Sequence, residues 1–101
     1  MLENALVKKI KKALQEKWPE DKWMKIHGGP MQEAGISDLI GCHKGVFIAI
    51  EVKRPFQDFK PPTPLQQKFL KDIEKAGGIS GCVTTVNGAI NLVESIVFKK
   101  K

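Results

Sequence analysis

The chain has 101 residues, of which 42% are hydrophobic and 28% are charged. This length predicts a single domain, residues 1–101, and the composition is that of a globular protein with one core. No apolar run reaches the ~20 residues that a membrane-spanning helix needs, so we expect a cytoplasmic protein with no membrane contact. A net charge of +6 favours nucleic acid over a small acidic substrate as the partner.

The first segment is predicted to form an amphipathic helix over residues 3 to 17. Apolar residues recur at intervals of three and four from Leu6 to Trp18, the opposite face is rich in lysine, and Pro19 ends the pattern. Glu3 lies in the first turn, where a carboxylate interacts favourably with the helix dipole.

A short strand is predicted next, from Trp23 to Ile26, and it breaks at Gly28-Gly29-Pro30. We expect His27 to be a hydrogen-bonded residue at the strand end rather than a catalytic group. Gln32, in the loop that follows, is a candidate for a contact with DNA.

Two further strands, Ile36 to Cys42 and Val46 to Lys53, are close enough in sequence to form an antiparallel hairpin. If His43 and Lys44 form a two-residue loop, Asp38 faces Ala49 and lies diagonal to Glu51. Side chains alternate between the faces of a strand, so the second strand has one fully apolar face. Its members are Val46, Ile48, Ile50 and Val52.

Two carboxylates, Asp38 and Glu51, would then share one site at the end of the hairpin. Like charges at that range repel unless a cation joins them, and oxygen ligands favour a hard ion such as Mg²⁺ or Mn²⁺. Lys53 is on the same face as Glu51 and places a positive charge where an anionic oxygen could develop. These are the groups that phosphodiester hydrolysis requires, although a lone Glu-x-Lys at a strand end is usually a solvated edge.

The segment from Arg54 to Pro62 contains three prolines and has no apolar periodicity, so it is predicted to be an exposed loop beside the site. Arg54 and Lys60 are candidates for phosphate contacts. We expect Phe56 and Phe59 to pack beneath the loop.

A second helix is predicted to begin after Thr63, with Pro64 at its first position and Gln66 completing a capping box. Leu65 begins its predicted buried stripe, and Gly77-Gly78 closes it.

The last elements are predicted to be a strand from Ile79 to Val86 and, after a turn at Asn87-Gly88, a helix from Ala89 to Ile96. The fold class is therefore α/β, a mixed β-sheet flanked by helices in the order α-β-β-β-α-β-α. Cys42 and Cys82 lack metal or redox spacing and are predicted to be free, buried thiols.

Four segments of the chain, G-I-S-D-L, I-E-V-K, T-P-L-Q-Q-K-F-L and A-G-G, resemble the VRR-NUC family of virus-type replication-repair nucleases, which belongs to the PD-(D/E)XK nuclease superfamily. The resemblance covers nearly the whole chain, although Ser37 stands where many members have proline. It implies a restriction-endonuclease-like core.

The resemblance also implies a set of site residues. Asp38, Glu51 and Lys53 would fill the superfamily motif, with Gln66 completing the catalytic group, and the metal ligands would be Glu3, Asp38, Glu51 and the main-chain carbonyl of Val52.

The function that this resemblance implies is a Mg²⁺- or Mn²⁺-dependent endonuclease that acts on branched DNA, as a Holliday-junction resolvase does. A stand-alone domain of this kind looks most like a phage product acting in bacterial cytoplasm. Two alternatives stay open: a non-catalytic, structure-selective DNA-binding module, and a subunit whose sheet edge serves protein assembly.

We also expect a homodimer, because cutting a four-way junction takes two nicks and one small domain has room for one site. The apolar residues of the final segment exceed what a last helix usually buries, unless they complete the core. They are Ile90, Leu92, Val93, Ile96, Val97 and Phe98.

Overall fold

The computed structural model describes residues 3–26, 35–54 and 61–96. Three helices and four strands follow one another in these ranges. They are α1 (Glu3–Lys17), β1 (Lys22–Lys25), β2 (Leu39–His43), β3 (Val46–Val52), α2 (Pro64–Lys75), β4 (Ile79–Val83) and α3 (Val86–Glu94).

The four strands form one sheet in the order β1-β2-β3-β4. The first three are antiparallel neighbours, whereas β3 and β4 run parallel. A parallel pair needs a crossover connection, which α2 provides. The predicted α/β class with a mixed sheet is confirmed.

One face of the sheet holds the main core beneath α1 and α3. Two glycines let large side chains lie flat on the strands: a Cβ at Gly41 would overlap the ring of Trp23, and one at Gly81 would meet Leu92 of α3. Both large side chains belong to the core or pack against it. Its buried members are Leu6, Val7, Ile10, Leu14, Trp23, Leu39, Ile48, Ile50, Val52, Ile79, Val83, Ala89, Val93 and Ile96.

The other face of the sheet is covered by α2. Ser80 of β4 donates a hydrogen bond of 2.7 Å to the Leu70 carbonyl in α2. Ser80 is paired with Ala49 on β3, and side chains alternate along a strand, so Ala49 and Glu51 both point to the α2 side. No residue of α2 is fully buried, and Leu65, predicted to begin a buried stripe, is 56% exposed.

The hairpin turn differs from the predicted one by one residue. His43 pairs with Val46, so the two-residue loop is Lys44-Gly45 rather than His43-Lys44. Both loop residues have positive φ, 50° and 82°, as a type I′ turn requires. The strand before the turn begins at Leu39, later than the predicted Ile36.

The register changes with the turn. Leu39, the first residue of β2, pairs with Ile50, and Ala49 pairs with Ile40. The prediction that Asp38 faces Ala49 is therefore wrong, and Asp38 lies just before β2, next to the residue that pairs with Ile50.

The last helix begins earlier than predicted. Thr85 caps it by accepting a 2.9 Å hydrogen bond from the Gly88 backbone, so Asn87-Gly88 lies inside α3 instead of forming a turn before it. The preceding strand ends correspondingly early, at Val83. Cys42 and Cys82 are both exposed, whereas they were predicted to be buried.

Candidate active site at the end of the β2–β3 hairpin

Glu51 is a buried carboxylate near the carboxyl end of β3, and only 1% of the residue is exposed. Its Oε2 lies 3.1 Å from the Nζ of Lys53, whose side chain is 12% exposed. Both residues point to the α2 side of the sheet, because they are two positions apart on the strand. A carboxylate and an ammonium are thus held together in a largely water-excluded place.

Asp38 is held against the same end of β3. Its Oδ2 accepts a hydrogen bond of 2.8 Å from the backbone N–H of Val52. If β2 continued to Ser37, Ser37 would pair with Val52 and its carbonyl could accept a hydrogen bond from the Val52 N–H. The Asp38 carboxylate accepts that hydrogen bond instead. The backbone at Asp38 is fixed too, because its carbonyl accepts a 2.8 Å hydrogen bond from Ile26.

These contacts bring together three predicted site residues, Asp38, Glu51 and Lys53. Asp38 lies directly before Leu39, which pairs with Ile50, and its carboxylate contacts Val52, so Asp38 and Glu51 are neighbours at this end of the hairpin. Two carboxylates and one ammonium leave one net negative charge, which a cation can balance. The Val52 carbonyl, the predicted main-chain ligand, belongs to the residue that binds Asp38.

The donor set fits a hard divalent ion, since it consists of carboxylate and carbonyl oxygens. Among the described residues, no group of three or more His, Cys, Asp or Glu side chains stands close enough to hold a metal ion. The fourth predicted ligand is Glu3, whose backbone begins α1 and whose side chain is outside the described part of the structure.

Gln66 caps α2. Its Oε1 accepts a 2.9 Å hydrogen bond from the Thr63 backbone, and its own N–H donates to the Thr63 hydroxyl at 3.2 Å, which completes the predicted capping box. The first turn of α2 also lies near the hairpin end, because a Cβ at Gly35 would overlap the Leu65 carbonyl. Gln66 is thus a helix cap close to the chain segment that carries Asp38.

The remaining predicted contacts are only partly described. Arg54 follows Lys53 and is half-buried. Gln32, Lys60 and His27 lie outside the described residues, as do Phe56 and Phe59.

Sequence reasoning missed a buried hydrogen-bonded pair at the other end of the sheet. The Nδ1 of His43 lies 2.7 Å from the Oδ2 of Asp21, and the side chains are only 4% and 7% exposed. The Trp18 ring is tilted over the His43 ring with 4.8 Å between the centroids. Asp21 and His43 are 22 positions apart, so no local pattern indicates that they meet.

The apolar residues of the final segment mostly complete the core. Val93 and Ile96 are buried, and Ile90 and Leu92 pack against the core. Val97 and Phe98 lie outside the described residues. The core therefore accounts for the four of these side chains that the structure describes.

No known protein-family model matches this chain, and neither does any curated protein. None of the helices in the described ranges has the length and apolar character needed to cross a membrane.

Proposed function

We propose that this protein is a metal-dependent endonuclease of the VRR-NUC type that hydrolyses phosphodiester bonds in branched DNA. The observation that carries the proposal is the meeting of Asp38, Glu51 and Lys53 at one end of the β2–β3 hairpin. The order of helices and strands is compatible with a restriction-endonuclease-like core, and this finer fold assignment is part of the same proposal.

Asp38 and Glu51 would hold one or two divalent ions, with the Val52 carbonyl and Glu3 as further ligands. The bound ion would supply Lewis-acid stabilisation of the charge that develops on the phosphate. The protein's own contribution is the fixed position of its oxygens, since the Asp38 carboxylate is tied to the Val52 backbone and Glu51 is buried.

Lys53 has two tasks in this mechanism. Its ammonium lies 3.1 Å from Glu51, so it lowers the repulsion between the two carboxylates before substrate binds. It is also a hydrogen-bond donor at the edge of the site, where it can orient the attacking water or bind a phosphate oxygen. The Lys53 side chain is 12% exposed and that of Glu51 is 2% exposed, so Lys53 is on the solvent side of the pair.

Branched DNA as the substrate is what the family resemblance implies, whereas Mg²⁺ or Mn²⁺ as the ion is inferred from the oxygen ligands. The charge of +6 supports a nucleic acid as the partner. The backbone of the DNA would be bound by Arg54, which lies two residues after β3, and by the other predicted contacts, Lys60 and Gln32.

The test is incubation of the purified protein with a labelled four-way junction and a linear duplex of the same sequence, in Mg²⁺, Mn²⁺ or EDTA. We expect cleavage of the junction with either ion, none in EDTA, and none by Glu51→Gln with ion present. Glu20→Gln is the matched control, because it makes the same chemical change at an exposed position in the turn before β1.

A second readout does not depend on activity. An ion that binds only the folded protein raises its unfolding temperature, so Mg²⁺ should stabilise the wild type and Glu20→Gln but not Glu51→Gln. Binding of the junction without cleavage in any ion would favour the non-catalytic DNA-binding module instead. Absence of both binding and cleavage would contradict both functions.

A further inference from the structure

A groove of about 540 Å³ lies between α1 and the turn that joins β4 to α3. Leu6, Lys9 and Lys12 line it from α1, and Thr84, Thr85 and Asn87 line it from the turn. Leu6 belongs to the core, so the floor is apolar and fixed, while ammonium, hydroxyl and amide groups stand along the walls.

The α1 wall carries an excess of positive charge. Lys9 and Lys12, the two lysines that line the groove, are both exposed. They lie three residues apart on one face of α1, where like charges repel, and neither forms an ion pair with a described carboxylate. Glu16 is the one acidic residue among the described residues of the lining, so the two ammonium groups leave a net positive charge. The groove therefore suits an anionic ligand.

The groove begins beside the candidate active site. The backbone N–H of Lys53 donates a 2.9 Å hydrogen bond to the Val83 carbonyl, and Thr84 follows Val83 directly. Neighbouring strands lie about 4.8 Å apart, so the end of β4 and the end of β3 are adjacent. The ends of β3 and β4 therefore form one edge of the sheet, with the candidate site on its α2 side and the groove on its α1 side.

We propose that this groove binds the phosphodiester backbone of the substrate DNA on one side of the scissile bond. Lys9 and Lys12 would neutralise phosphates, and the Thr84 hydroxyl and Asn87 amide would donate hydrogen bonds to phosphate oxygens. The Thr85 hydroxyl accepts from Gly88, which leaves its proton available for the same purpose. The proposal deepens the proposed function and rests on it for the identity of the ligand.

The test compares Lys9→Gln/Lys12→Gln with the matched control Lys71→Gln/Lys75→Gln. The control removes the same charge from two exposed positions of α2 that do not line the groove. These two lysines are four residues apart, so they also lie on one face of their helix. Glutamine forms helices nearly as well as lysine, so both variants should fold, which thermal unfolding will verify. Affinity for a labelled junction is measured in EDTA across a series of salt concentrations.

Each phosphate contact contributes about 0.7–0.9 to the slope of log affinity against log salt, so the loss of two contacts should reduce the slope of the groove variant by roughly 1.4–1.8. The control should keep the wild-type slope, and junction cleavage by the groove variant should show a higher KM with kcat unchanged. Equal slopes for the two double variants would overturn the groove proposal.

The outcomes separate the two proposals. If neither the wild type nor any variant cleaves the junction, but the slope of log affinity against log salt falls in the groove variant alone, the groove is confirmed as a DNA-binding surface and the nuclease proposal is rejected. If cleavage is normal and the slopes are equal, the nuclease is supported and the groove is rejected.

Discussion

The Asp38 carboxylate takes the place of a backbone partner at the end of β3, where its Oδ2 accepts a 2.8 Å hydrogen bond from the N–H of Val52. One side chain therefore has a structural role in addition to its proposed role as a metal ligand. The two roles differ in what they require, since the hydrogen bond needs an oxygen and the metal needs a negative charge.

Asp38→Asn and Asp38→Ala separate these roles. Asparagine keeps an oxygen acceptor for Val52, so it should reduce the free energy of unfolding by about 1 kcal/mol or less, whereas alanine loses the acceptor and should cost about 1–3 kcal/mol. Both variants should lose cleavage, because both lack the charge. Urea unfolding and junction cleavage measure the two effects, and wild-type cleavage by Asp38→Asn would remove Asp38 from the set of metal ligands.

The Glu51–Lys53 pair makes a second prediction about stability. Lys53→Met removes the ammonium beside a carboxylate that is 1% exposed, and breaking a buried pair from one side typically costs about 3–5 kcal/mol. Glu51→Gln/Lys53→Met removes both charges and should recover part of that loss. Urea unfolding of the single and double variants gives the coupling energy. If the double variant is as unstable as the sum of the single ones, the two side chains are not coupled.

The register of this site shows where sequence reasoning succeeds and where it fails. The alternation of β3 predicted that Glu51 and Lys53 share a face, because that depends only on the period of a strand. The cross-strand position of Asp38 was predicted wrongly, since it depends on the turn, and the turn lies one residue later than predicted. Lys44 adopts a positive φ that a lysine seldom adopts, and buried contacts hold His43 in the strand.

Helix boundaries show the same division between local and distant causes. The start of α2 was predictable because Thr63, Pro64 and Gln66 carry the whole capping signal within four residues. The start of α3 was missed because the Asn87-Gly88 turn signal competes with the Thr85 cap, and the cap prevails. The Asp21–His43 pair could not be predicted, because only the folded sheet brings the two residues together.

Gln66 is predicted to act at the site as well as in the cap. Gln66→Glu keeps a side-chain oxygen for the Thr63 N–H, so the free energy of unfolding should change by less than about 0.5 kcal/mol, while the amide donor is lost and a negative charge is added. We expect junction cleavage to fall at least tenfold with stability unchanged. Thr63→Ser, which keeps the hydroxyl cap, is the control and should cleave normally. Normal cleavage by Gln66→Glu would restrict Gln66 to capping.

The active unit is predicted to be a homodimer, since paired nicks in a four-way junction need two sites and each chain has one candidate site. Sedimentation at micromolar concentration should give about twice the 11.3 kDa of one chain. Mixed dimers of wild type and Glu51→Gln should nick junctions without completing paired cleavage. A mass of one chain, both alone and with junction bound, would contradict this prediction.

The Asp21–His43 pair is predicted to stabilise the fold without affecting cleavage. Its 2.7 Å hydrogen bond joins the turn before β1 to the end of β2, and both side chains are nearly inaccessible to solvent. Asp21→Ala leaves the His43 ring nitrogen without this acceptor and should reduce the free energy of unfolding by about 1–3 kcal/mol, whereas Asp21→Asn keeps an oxygen there and should lose less. From Asp38 to His43 the chain advances five residues, or about 17 Å at 3.4 Å per residue, so the pair is remote from the candidate site. Junction cleavage per folded molecule, measured well below each variant's unfolding temperature, should therefore equal that of the wild type. A loss of cleavage in Asp21→Ala that persists when the protein is fully folded would show that this end of the sheet also contributes to the reaction.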